Sequence, residues 1–106
     1  MPKYLVKAKY TQEGLKGLVK EGGTGRRAAL EQVYASVGGK LESMYWALGD
    51  EDVYIIADVP DHVALSALGI AVGLSGAATT SATVLLTAEE VDAATKKNAN
   101  YRAPGK

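Results

Sequence analysis

The chain opens with a strict alternation. Tyr4, Val6, Ala8 and Tyr10 fall on one side of an extended backbone, and Lys3, Leu5, Lys7 and Lys9 on the other. Side chains repeat with period two in a strand, so residues 3–10 predict one strand. Thr11 follows as an N-cap, because its hydroxyl can accept a free backbone N–H of the next turn. Gln12 to Lys20 then carries Leu15, Leu18 and Val19 on one helical stripe, and Gly14 and Gly17 weaken it by roughly 1 kcal/mol each relative to Ala. Glu21 to Gly25 interrupts the periodicity and predicts a connector capped by Thr24. From Arg26 a stronger helix resumes, with Leu30, Val33, Tyr34 and Val37 at helical spacing, and Gly38-Gly39 ends it.

Leu41 to Leu48 and Val53 to Val59 read as two strands folded back over the acidic turn Gly49-Asp-Glu-Asp52. Parity sets the expected pairing. With Leu48 opposite Val53, Trp46 faces Ile55 and Met44 faces Ala57, so the large apolar groups share one side. The second face then sets Tyr45 opposite Ile56, Ala47 opposite Tyr54 and Ser43 opposite Asp58. A one-residue slip would mix the two sets, so an even-length turn is expected.

Pro60 and Asp61 open a second helix, from about His62 to Ser75, that is apolar nearly all round. A membrane span needs about 20 predominantly apolar residues. This run is shorter and is broken by Gly69 and Gly73, so a buried helix is expected, with the two glycines admitting another backbone. Thr79 to Thr87 is a last, β-branched strand. Ala88 to Ala93 starts a short acidic helix, and residues 96–106 read as a loosely held tail after a domain of residues 1–95.

Strand, interrupted helix, strand, strand, helix, strand is the βαββαβ order of an α+β, ferredoxin-like domain: a four-stranded antiparallel sheet with helices on one face. The other face would present Leu5, Tyr45, Tyr54, Ile56 and Leu85, diluted by Lys7, Asp58, Ser81 and Thr83. An apolar patch of that size on a small monomer favours association. A homodimer packed sheet against sheet, or a higher assembly of dimers, is therefore expected.

These residues resemble the GYD domain family of small bacterial proteins over almost the whole chain. The likeness covers the Tyr4 to Tyr10 strand with Thr11-Gln-Glu-Gly14, the Arg26-Arg27 helix start and Gly38-Gly39-Lys40. It continues through Tyr45-Trp46-Ala47-Leu48-Gly49, Asp52-Val53 and Asp58-Val-Pro-Asp61. The family looks like a branch of the dimeric α+β barrel proteins, which implies the same sheet-to-sheet pairing. Its namesake motif is Gly, one intervening residue, then Tyr-Asp. Gly49 and Asp52 match, and Glu51 stands in the tyrosine's place. No established activity comes with the resemblance.

Composition narrows the chemistry. With 106 residues the chain suits one domain with one core. Twelve basic and 12 acidic residues balance, which argues against a nucleic-acid partner. There is no cysteine, so disulfides, thiolate catalysis and Cys-based metal sites are excluded, and the single His62 excludes a multi-histidine site within one chain. No cofactor, metal or membrane partner is expected. Met1-Pro2-Lys3-Tyr4 runs straight into the first strand, so a cytoplasmic setting is expected.

Three groups of residues are candidates for function. Tyr45, Asp58 and Lys7 are acid–base candidates on the second sheet face, where Tyr54 joins Tyr45 for ligand contact; the same residues would serve equally as an interface lining, where Tyr is enriched. Asp52 brackets the turn, either as a backbone hydrogen-bonding turn residue or as a group at a barrel mouth. Gly22 to Arg27 reads either as a connector or as an anion cradle with Arg26 and Arg27, though no P-loop or dinucleotide fingerprint is met. His62 is expected as an exposed residue of the helix start. Three functions stay open: a small-molecule-binding or structural assembly domain, an enzyme of the dimeric barrel type acting on an aromatic or quinone-like metabolite, and a module binding an anionic effector at Gly22–Arg27.

Overall fold

The computed structural model describes residues 1–106. Its elements run β1 (Lys3–Tyr10), α1 (Gln12–Ser36), β2 (Lys40–Trp46), β3 (Val53–Asp58), α2 (His62–Ser75), β4 (Ala78–Leu85) and α3 (Ala88–Thr95). The four strands form one antiparallel sheet in the order β2-β3-β1-β4. The fold is therefore α+β and ferredoxin-like, with β1 and β3 central. No helix is long and apolar enough to cross a membrane.

The alternation of β1 decides which face is buried. Tyr4 and Val6 lie in the core beside Ile55 and Ala57 of β3 and Leu41 and Met44 of β2. Tyr34 of α1 and Leu68 of α2 close over them. Burying an aromatic or branched side chain of this kind contributes about 1.5–3 kcal/mol, so this half of the alternation outweighs any local propensity. The Tyr4 hydroxyl lies 2.8 Å from His62 Nδ1, and the two rings meet edge to face. His62 is thus a structural partner for a buried phenol as well as a residue of the first turn of α2.

Both long helices begin as their caps require. The Thr11 hydroxyl accepts from the Gly14 N–H, and the Asp61 carboxylate accepts from the Ala64 N–H at 2.8 Å. Thr11 also donates to the carbonyls of Gly76 and Ala77, which ties the start of α1 to the α2–β4 turn.

The glycine-rich interruption expected at residues 21–25 is a single kink. Only Gly22 leaves the helical region, at φ 76°, and the helix continues on its far side to Ser36. Thr24 therefore lies inside the helix and caps nothing. The kink brings Gly23 against the Trp46 ring, about 3.6 Å from where a Cβ would stand. Of the two glycines in α2, Gly69 approaches Thr80 of β4, whereas Gly73 faces open space.

The β2–β3 pairing differs from expectation by two residues. Trp46 pairs with Val53, Tyr45 with Tyr54, and Met44 with Ile55. A shift of two keeps Ser43 to Trp46 on their expected faces, which is why the parity reading identified those faces and missed the register, whereas the bulge beyond Ser43 turns Leu41 into the core. The turn is longer because Asp52 is anchored elsewhere: its N–H donates to the Ala8 carbonyl, and its carboxylate accepts from the Tyr10 N–H at 2.8 Å. Leu48, expected in the pairing, sits fully exposed at the tip. Further along, the ladder shifts between Leu41 and Ser43, a bulge that leaves Glu42 unpaired in the register.

Gly14 marks the tightest approach of two backbones. A Cβ there would collide with the Ala77 carbonyl oxygen, while Gly17, one turn on, meets nothing. Gly14→Ala is expected to destabilise the fold by about 1–3 kcal/mol. Gly17→Ala should stabilise it by up to about 1 kcal/mol. Urea unfolding midpoints of the two variants check this opposition.

Candidate functional site

The structure sets Lys7, Tyr54 and Tyr45 side by side on the sheet face that carries no helix. Lys7 pairs with Tyr54 on β3, and Tyr54 with Tyr45 on β2, giving one row across three strands. Asp58 shares the face but stands four residues along β3, about 13 Å from Tyr54 at strand spacing. There it accepts from the Lys3 ammonium at 3.0 Å, and Glu42 takes the same ammonium at 2.6 Å. The hydrogen bond to Glu42 first, and that to Asp58 second, hold the Lys3 pKa above its ordinary value. A general acid or base must have substrate held against it. No cavity opens before this row, and Tyr45 is 71% exposed. Within one copy the row is therefore a surface rather than a chamber.

The other candidates separate. The Asp52 carboxylate is occupied by the Tyr10 backbone, a turn role. Arg26 and Arg27 lie on the second half of α1. Arg26 pairs with Glu21 at 3.3 Å, and Arg27 with Glu31 at 3.7 Å along the helix. With residues 23–27 helical, no loop remains there to cradle an anion.

The concavity lies on the opposite side, between the helices. α1 packs over β2 and α2 over β4, and the seam between them is open down to β1. Two adjoining cavities of about 230 and 120 Å³ occupy it, sharing Val6, Tyr34, Val72 and Thr80 as walls. Together they reach the roughly 300 Å³ at which small-molecule sites begin. The lining is apolar, with Leu65 and Leu68 at one end and Ala8 and Leu30 at the other. Arg26 and Tyr10 stand at the second end, where Tyr10 accepts from the Trp46 indole N–H at 3.2 Å.

Like Thr80 of β4, Tyr34 of α1 is a polar side chain that borders both cavities. Only 4% of it is exposed, it borders both cavities, and no side chain or backbone group hydrogen-bonds its hydroxyl. Burial alone pushes its pKa up to about 12. No side-chain nitrogen or oxygen is sealed in the core without a hydrogen-bond partner, so the Tyr34 hydroxyl, unpaired within the chain, opens onto the apolar cleft and is free to bond what enters it.

A family model for the GYD domain matches residues 4–95. The chain belongs to the GYD domain family. Comparison with curated proteins and with solved structures returned no match. The matched span runs from the first buried residue of β1 to the last residue of α3, so this GYD domain takes in the whole sheet, both covering helices and the seam between them.

Sequence periodicity places Tyr34 correctly on the inner stripe of α1 but treats it as ordinary core. The available signal was a tyrosine where Leu30 and Val33 had set an aliphatic pattern. Its lack of a partner depends on how far α1 and α2 stand apart, which no local pattern encodes.

The raised Tyr34 pKa has a defined consequence for this GYD domain. Below pH 10 the phenol is protonated in both folded and unfolded chains. Between pH 10 and about 12 the unfolded chain releases its proton first, so stability falls as pH rises through that window. Absorbance titration at 295 nm should show one of the six tyrosines ionising near pH 12, and Tyr34→Phe should remove that late phase.

Proposed function

We propose that this GYD domain is a self-associating small-molecule-binding domain, with its ligand held in the seam between α1 and α2. The observation that carries the reading is the Tyr34 hydroxyl: it belongs to a residue only 4% exposed, has no protein partner, and opens onto an apolar cleft. A ligand that fits is small and mostly apolar, with an oxygen acceptor for the Tyr34 proton. Aromatic and quinone-like molecules meet that description. The Val72 and Leu68 side chains would supply contact area, and the Tyr34 phenol would fix orientation.

The open sheet face supports self-association. Leu5 and Ile56 are cross-strand partners at its centre, flanked by the Tyr54–Tyr45 row, and no layer of the same chain covers them. A second copy placed sheet to sheet would bury this patch and make the arrangement a dimeric α+β barrel. On that reading the barrel interior is an interface, and the ligand site lies outside it, one per copy.

The two parts are tested separately. 1,4-Naphthoquinone is an apolar probe with two carbonyl acceptors, and the chain has no thiol to react with it. In protein-observed NMR it should shift Tyr34, Val72 and Thr80 and leave Tyr45 and Tyr54 unmoved. Tyr34→Phe should weaken binding by about 3- to 10-fold, the worth of one neutral hydrogen bond. Shifts confined to Tyr45 and Tyr54 would move the site to the open face and overturn the seam assignment. Separately, Ile56→Lys should lower the sedimenting mass of the assembly without loss of helical circular dichroism.

A further inference from the structure

The C-terminal residues leave the body of the molecule. α3 has no buried residue, and the hydrogen bonds made by residues 87–106 are all within that stretch. The chain measures 57 × 32 × 23 Å with a radius of gyration of 16.8 Å. A compact chain of this length would have about 13 Å. Yet the arm is not a solvated polar tail. It carries Leu86 on its connection to β4, Val91 on α3 between Ala88 and Ala94, and Tyr101, which is 77% exposed. An isolated helix as short as α3 is marginal in water and needs a surface to pack on.

The body offers such a surface. On α2, Val63, Ala67, Ile70 and Leu74 follow one another at spacings of four, three and four, which draws them into a single outward stripe. Val63 is 77% exposed, Ile70 63% and Leu74 83%. The helix contains no Asp, Glu, Lys or Arg, so nothing on it would recognise a charged partner. Its inner side already packs on the sheet through Leu68.

An arm with exposed Leu86, Val91 and Tyr101 and an apolar stripe without an occupant sit on the same chain. The arm does not fold back onto its own α2: α3 buries no residue and makes no hydrogen bond to the body. Thr87 and Glu90 form a reciprocal capping box: the Thr87 hydroxyl accepts from the Glu90 N–H at 3.1 Å, and the Glu90 carboxylate accepts from the Thr87 N–H at 2.9 Å. The box holds α3 helical from its first turn, so the arm is a preformed helix. We infer that the arm is exchanged: α3 of one copy lies on the α2 stripe of a second copy, with Val91 against Ile70, and the second copy returns the contact. The interface is isologous, so two copies satisfy both arms and both stripes. Standard interfaces engage roughly 20–30 residues a side, a number that residues 86–106 and the α2 stripe together supply. This surface is distinct from the open sheet face, so the inference stands or falls independently of sheet-to-sheet pairing.

The absence of cysteine makes a clean test. Val91→Cys and Ile70→Cys are made singly in the full chain, both at exposed positions, and each variant should keep the circular dichroism of the parent. Mixed in equal amounts and oxidised, they should give a covalent dimer on a non-reducing gel, several-fold above either variant alone. The same band should persist when both carry Ile56→Lys. No mixture-specific dimer would overturn the inference, as would an equal yield from Val91→Cys alone, which would pair arm with arm. In the double variant, closure within one chain would also overturn it, by placing the arm on its own α2.

Discussion

The structure depends on the burial of alternate residues of β1 and β3 beneath two helices. Tyr4, Val6, Ile55 and Ala57 must all point the same way, and once they do, every neighbouring choice is constrained. β4 must pair so that Val84 falls beside Tyr4 and Ala82 beside Val6. β2 must pair so that Met44 falls beside Ile55. The polar half of each strand is then committed to the opposite side, where Lys3 meets Asp58 and Lys7 meets Tyr54. A sheet with helices on one flank cannot avoid this division, and both surfaces with a claim to function arise from it.

The two surfaces differ in kind. The open face is flat, mixed in polarity and shaped by cross-strand rows, which suits contact with another flat face. The helix side is imperfectly closed, because α1 and α2 cover the two edges of the sheet more fully than its middle. Aliphatic side chains dominate here, and the chain has no phenylalanine to fill a wide gap. The gap at the seam is therefore compatible with a stable fold, since most of its walls are apolar and cost little when left dry. Tyr34 adds an unpaired hydroxyl to such a wall, and that free donor is what favours a binding reading over a packing defect.

Much of this was legible in residue order. The period-two pattern of residues 3–10 gave β1, Asp61 after Pro60 gave the start of α2, and Gly38-Gly39 marked the end of α1. These are local features, set by neighbours in sequence. The failures were all non-local. Pairing Leu48 with Val53 satisfied the side-chain pattern, but the Asp52 anchor on β1 lies more than forty residues away in sequence and was invisible to it. Five residues rich in glycine looked like a loop, yet one positive φ at Gly22 is enough to redirect a helix that the others tolerate. His62 is exposed at the helix start as expected, and only its bond to the Tyr4 hydroxyl went unannounced by its neighbourhood. The candidates Lys7, Tyr45 and Tyr54 were correctly placed on one face, while Asp58 was set apart from them by its pairing with Lys3.

The two margins of the sheet are not equivalent. β2 is bent by the irregularity at Glu42, and its outer ladder is interrupted there. β4 runs unbroken against β1 for eight consecutive pairs and leaves its far side unpaired, with threonine and serine in place of charge. Strand addition, the step that turns sheets into fibrils, needs a straight acceptor on each side of the growing unit. Here one border invites it and the other refuses. Lateral growth through β4 alone would join two molecules and then stop at the irregular borders.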